Sequence, residues 1–124
     1  MARILVVDDD VTIRSLLKDI LEMNGHTVDQ AENGKDALDM VRRNAYDIVF
    51  MDRNMPVLDG VETVKIIRNT PNFKDLKIIM CTSASVVKEV DEAYAAGAND
   101  FIVKPIEVAR LVAKVNKHLP KSAA

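Results

Sequence analysis

The sequence predicts an α/β fold, a parallel sheet wound on both faces by helices. Short apolar runs of strand length recur along the chain, stretches with apolar residues at helical spacing separate them, and the two patterns alternate five times. A length of 124 residues suits one domain. A chain of that size buries roughly two thirds of its unfolded surface.

Each element has a local reason. Ile4-Leu5-Val6-Val7 is a continuous apolar run, as a strand covered on both faces requires. Ile13, Leu16, Leu17, Ile20 and Leu21 then share one helical face, and Gly25 suits a left-handed helix end. Thr27 to Gln30 is a second strand, polar enough for a sheet edge. Asn33-Gly34 turns the chain into a helix marked by Ala37, Leu38 and Val41. Ile48 to Met51 is the third strand. Asp59-Gly60 opens a third helix through Val61, Val64 and Ile67, and Pro71 ends that region. Ile78 to Cys81 is the fourth strand, and Val86, Val87 and Val90 stripe a fourth helix that stops near Gly97. Phe101 to Val103 is the fifth strand. Val108, Leu111, Val112, Val115 and Leu119 give the last helix its apolar face, with Pro120 beyond it.

Composition narrows the function. Hydrophobic residues at 48% and charged residues at 29% are globular proportions. The net charge of −2, from 17 basic and 19 acidic residues, offers neither a nucleic-acid footprint nor a polybasic membrane anchor. Cys81 is the one cysteine, which excludes an internal disulfide and an all-cysteine metal site; it reads as a small core residue. No apolar run is long enough to span a bilayer, and Met1-Ala2-Arg3 runs into a strand without a signal-peptide layout. The expectation is a soluble cytoplasmic protein with no nucleic-acid or membrane partner. His26 and His118 lack ligand spacing and read as surface histidines.

In open parallel sheets ligands bind at the carboxyl ends of the strands, where strand order reverses. The strand exits carry Asp8, Asp9 and Asp10 after the first strand, Asp52 after the third, Thr82 and Ser83 after the fourth, and Lys104 and Pro105 after the fifth. Gathered carboxylates repel and need a cation or raised pKa values; carboxylates with waters suit Mg²⁺. A lysine can pair with a carboxylate and a phosphate, and a threonine hydroxyl can donate to a phosphoryl oxygen. The set suits a carboxylate that accepts a phosphoryl group, with Asp52 as nucleophile. Taken singly, Asp8 or Asp10 reads equally well as a helix cap. The competing function is an aspartyl-nucleophile phosphohydrolase, but such enzymes typically carry a second acid where this chain has Asn54. Neither G-x-G-x-x-G nor a Walker A segment is present.

The runs Ile4 to Asp10, Met51 to Gly60, Thr82-Ser83-Ala84 and Phe101 to Pro105 resemble, in wording, order and separation, the receiver domain of bacterial two-component response regulators, of the CheY-like single-domain type. The resemblance covers about residues 2–119 and implies one receiver domain over 1–124 with no effector domain. It implies a flavodoxin-like (βα)5 sheet of order 2-1-3-4-5. It also implies that Asp52 takes a phosphoryl group from a histidine kinase or a histidine phosphotransfer protein, as a switch rather than an enzyme with external turnover. Asp8, Asp9 and Asp52 would hold Mg²⁺, with Asp9 a direct ligand, Asp8 acting through water and Asn54 supplying its backbone carbonyl. Thr82 would turn inward to the phosphoryl group, Lys104 would pair with it, and the Lys104–Pro105 bond would be cis. Phe101 falls at the aromatic switch position. The responding surface, helix four with strand five and helix five, would control a downstream protein in chemotaxis or a phosphorelay.

Ser83 stands where alanine is more usual, a small and tolerated change. Arg53 reads as a solvated loop arginine, with an effect on partner docking or phosphate access as the sharper alternative. Ala84 and Asn54 border the path of hydrolytic water, which implies a phosphoryl lifetime that is not exceptionally long. Arg110 and Lys114, basic and one turn apart, would repel across a shared face, which favours a monomer.

Overall fold

The computed structural model of the chain describes residues 1–83 and 87–119. Five strands, β1 (Arg3–Val7), β2 (Thr27–Ala31), β3 (Ile48–Asp52), β4 (Lys77–Thr82) and β5 (Asp100–Val103), alternate with five helices. These are α1 (Val11–Met23), α2 (Gly34–Arg43), α3 (Gly60–Arg68), α4 (Val87–Ala96) and α5 (Val108–His118), with a 3₁₀ turn at Pro71–Phe73. All strand pairs are parallel and the order is β2-β1-β3-β4-β5, the flavodoxin-like topology. The polar β2 lies at an edge.

The period of two along each strand splits the core into two layers. Leu5, Val7, Val49, Met51, Ile78 and Met80 face one side, under Val41 of α2, Val64 and Ile67 of α3, and Ala93 and Ala96 of α4. Ile4, Val6, Ile48, Phe50, Ile79, Cys81 and Ile102 face the other, under Leu17, Ile20 and Leu21 of α1 and Leu111 and Val115 of α5. Two-sided burial explains why these strands read as unbroken apolar runs.

Helix starts follow their caps. The Asp10 carboxylate accepts from the backbone N–H groups of Thr12 and Ile13, Asn33 caps α2 through Asp36, and Asp59 caps α3 through Glu62. Each such cap contributes about 1 kcal/mol. Asp10 therefore has the helix-capping role. Gly25 and Gly97, with φ of 89° and 116°, follow α1 and α4 as left-handed residues.

Several expected positions shift. Leu16, Val87 and Val108 are exposed at 51%, 73% and 55%, so the apolar stripes of α1, α4 and α5 are narrower than their spacing suggested. Ala93 and Ala96 carry the buried side of α4. Val86, Ala84 and Pro120 lie outside the described residues. Strand pairing continues past the apolar runs, so Asp52 and Thr82 are the last residues of their strands. Among the described residues no helix is long and apolar enough to cross a membrane.

Candidate functional site

Strand order reverses between β1 and β3, whose neighbours leave in opposite directions along the sequence. Val7 pairs with Met51, so Asp8 and Asp52 leave the sheet side by side. Asp52 pairs with Cys81 and Thr82 with Val103, which brings Thr82 and Lys104 to the same edge. The Lys104–Pro105 bond is cis.

Lys104 Nζ stands 3.0 Å from Asp8 Oδ2 and 3.0 Å from Asp52 Oδ1. Asp8 and Asp52 are buried, while Asp9 beside them is exposed. Carboxylate oxygens of Asp8, Asp9 and Asp52 all lie within 4.8 Å of one another. The Asp10 backbone N–H donates to Asp8 Oδ1 at 2.9 Å, and Arg14 Nη1 donates to the Asp8 carbonyl at 2.6 Å. Asn54 donates its backbone N–H to Asp52.

Burial pushes the Asp52 carboxyl up to about 6; Lys104 opposes the shift and the negative Asp8 adds to it. Burial lowers the Lys104 ammonium, but its bonds to Asp8 and Asp52 outweigh that and leave it raised. Lys104 pairs with Asp8 and Asp52, and the neighbouring Asp9 adds a third acid, an excess of negative charge that a hard divalent cation would neutralise. The all-oxygen donor set, partly open to water at Asp9, fits Mg²⁺.

The loop after β3 is held tightly. Gly60 opens α3 against the Asp52 backbone, where a Cβ would run into the Asp52 carbonyl oxygen. Its N–H donates to the Arg53 carbonyl at 2.9 Å, and the Arg53 N–H donates to the Cys81 carbonyl at 2.9 Å. Arg53 is not a solvated loop side chain: it is 16% exposed, with Nη2 at 2.6 Å from Glu92 and Nε at 4.0 Å from Glu89. Its hydrogen bond to Glu92 holds that carboxyl below its ordinary value. The Thr82 hydroxyl donates to Glu89 Oε2 at 3.4 Å, so it faces α4. Ser83 and Pro105 are exposed.

Phe101 is half-buried, edge-on to Tyr94 with ring centroids 6.1 Å apart, and Lys114 Nζ lies 5.5 Å from its centroid. Beside it, the buried Asp100 carboxylate meets Lys114 at 2.7 Å, His118 at 3.0 Å and Lys117 at 3.4 Å. Burial alone would raise Asp100, but hydrogen bonds from Lys114 and His118 hold it well below the usual carboxylate range. His118 is thus a half-buried partner of Asp100 rather than a surface histidine. His26 also has a structural bond, its Nδ1 accepting from the Ala2 N–H at 3.0 Å. Arg110 lies 3.9 Å from Glu107, so the two cations expected to repel each have a partner within the chain.

The sequence reading missed Glu89, Glu92 and Asp100. Lys114, Lys117 and His118 recur at helical spacing on α5, a visible signal for an acid opposite them. Nothing in the sequence pattern sets Glu89 and Glu92 apart from ordinary solvated helix charges.

A family profile described as Response regulator receiver domain matches residues 4–116. The chain is 41% identical over 118 residues to the Chemotaxis protein CheY of Bacillus subtilis (strain 168), covering 94% of this chain and 97% of that one. It is 38% identical over 121 residues to Response regulator MprA of Mycobacterium sp. (strain KMS), covering 98% of this chain but 52% of that protein, about half its length. The solved structure of the chemotaxis response regulator CheY4 of Vibrio cholerae matches with a TM-score of 0.91 at 33% identity, over 96% of this chain and 99% of that one.

Proposed function

The chain belongs to the response regulator receiver domain family, and we propose that Asp52 is its phosphoacceptor. As a CheY-like receiver it is a two-component signalling module. The donor is a phosphohistidine on a histidine kinase or a phosphotransfer protein. An Asp52 carboxylate oxygen attacks phosphorus, the P–N bond breaks, and the electron pair returns to the donor imidazole, which takes up a proton.

The observation that carries this reading is the single Lys104 ammonium between the buried Asp8 and Asp52 carboxylates. It holds Asp52 in place and offers a charge to an incoming phosphoryl oxygen. Transfer of this kind depends on positioning and charge neutralisation more than on a general base. With a folded-state value of about 6, Asp52 is largely ionised at pH 7 and ready to attack. Asp8, Asp9, Asp52 and the Asn54 carbonyl would hold Mg²⁺, which would neutralise charge on the phosphoryl oxygens. Thr82 binds the phosphoryl group from the other side, and Phe101 reports the change to α4, β5 and α5, the surface that binds a downstream protein. Turnover is limited to the protein's own phosphorylation and dephosphorylation, in one receiver unit acting as a monomer in the cytoplasm.

Incubation with Mg²⁺ and acetyl phosphate, followed by intact-mass measurement, tests this. One added phosphoryl group is expected in the native chain and none in Asp52→Ala. An adduct that survives in the variant, or no adduct where another receiver is labelled, would overturn the assignment.

A further inference from the structure

We propose that Glu89 is a brake on phosphorylation, holding the Thr82 hydroxyl away from the phosphoryl site, and that Arg53 sets the brake. The proposal rests on the phosphoacceptor reading of Asp52.

The geometry forms a chain of contacts from one side of the site to the other. Arg53 follows Asp52 directly, and its backbone is pinned on both sides, by Cys81 and by Gly60. Its side chain crosses to α4 and engages two acids one helical turn apart, Glu92 at 2.6 Å and Glu89 at 4.0 Å. Without a cation those two carboxylates would repel each other. The charge of Arg53 faces Glu89 Oε1 at 4.0 Å, an ion-pair contact without a hydrogen bond, and the other oxygen, Oε2, accepts from Thr82 at 3.4 Å.

The consequence follows from donor counting. A threonine hydroxyl has one proton to donate. Given to Glu89, that proton is withheld from a phosphoryl oxygen on Asp52. The Glu89 bond is therefore made in the unphosphorylated protein and lost when Thr82 serves the phosphoryl group. An interaction present in only one of two states shifts the equilibrium towards that state by its own strength. Glu89 is thus a positioning residue that acts through Thr82. Arg53 can accommodate the release: its firm bond is to Glu92, its contact with Glu89 is loose, and its buried Nη1 has no partner among the described residues.

Beryllofluoride binding in the presence of Mg²⁺, read by titration calorimetry and by the fluorine resonance of the bound species, tests the brake. Glu89→Ala, on a partly exposed helix position, is expected to raise the affinity roughly five-fold, as the loss of one long hydrogen bond to a charged acceptor implies. Arg53→Met raises it by a smaller factor and adds nothing to Glu89→Ala. The decisive comparison is in Thr82→Ala, where Glu89→Ala should change nothing. Equal or lower affinity in Glu89→Ala overturns the brake, and a gain that persists in Thr82→Ala does the same, because Glu89 would then act as a general repulsive charge. Failure of the native chain to bind beryllofluoride would remove the phosphoacceptor reading and the brake together, whereas binding without a gain in Glu89→Ala removes the brake alone.

Discussion

Asp52 and Lys104, 52 residues apart in the sequence, meet at 3.0 Å across the carboxyl edge of the sheet, and the same ammonium reaches Asp8 at an equal distance. One cation therefore balances two buried anions. Its removal would leave both without compensation, which is costlier than the loss of an exposed pair. Lys104→Met is expected to lower stability by about 3 kcal/mol at pH 7 without divalent cations. The loss should shrink towards pH 5, as Asp52 takes up a proton. Urea unfolding at both pH values checks this, and an equal loss at both would contradict it.

The raised Asp52 value sets a pH dependence of unusual sign. Its folded value is about 6 against an ordinary 3.8, so between those values the folded state binds the extra proton. Stability then falls as pH rises through about 4 to 6, and the ionised group remains a burden above that window. Asp52→Asn removes the burden while Lys104 keeps Asp8 as a partner. The variant should be more stable than the native chain by about 1–2 kcal/mol at pH 7 in EDTA, and the gain should vanish near pH 4. Thermal melts across that range measure it.

A divalent cation should offset the same burden. Binding to the folded state alone stabilises by about 1.4 kcal/mol at ten times the dissociation constant. Mg²⁺ is expected to raise the melting temperature of the native chain and to narrow its gap to Asp52→Asn. Asp9→Ala, which alters an exposed position, should fold normally and lose most of the Mg²⁺ response. A full response in Asp9→Ala would remove Asp9 from the ligand set.

Asp100 has the opposite sign to Asp52. Lys114 and His118 hold its folded value well below the usual range, so its contribution is present above about pH 4 and is lost as pH falls through the folded value. Asp100→Asn leaves the half-buried Lys114 and His118 without their carboxylate, and should cost about 2 kcal/mol at pH 7. Urea unfolding at pH 7 reads the cost directly; a change below about 0.5 kcal/mol would mean that the cluster is only a surface pairing.

The fold was legible because its signals are local. The apolar runs at Ile4, Ile48 and Ile78 announced strands covered on both faces, and the polar run at Thr27 announced the edge. Helical stripes located the helices but overstated their width at Leu16, Val87 and Val108, since spacing alone does not say how far a helix is rolled against its sheet. The strand exits at Asp8, Asp9, Asp52 and Lys104 stood out because a parallel sheet delivers all its carboxyl ends to one edge, whatever lies between them.

By itself, then, the sequence determined the five-fold alternation, the sheet class and which residues crowd one edge, because periodicity and the residue types at strand ends follow from backbone geometry. Tertiary structure alone decided that Arg53 turns away from water to Glu92 and Glu89, that Thr82 faces α4, and that Asp100 gathers Lys114 and His118. Those contacts depend on how each helix is rolled and on side-chain rotamers. A charged residue can take either course without changing the hydrophobic pattern, so the pattern holds no trace of the choice.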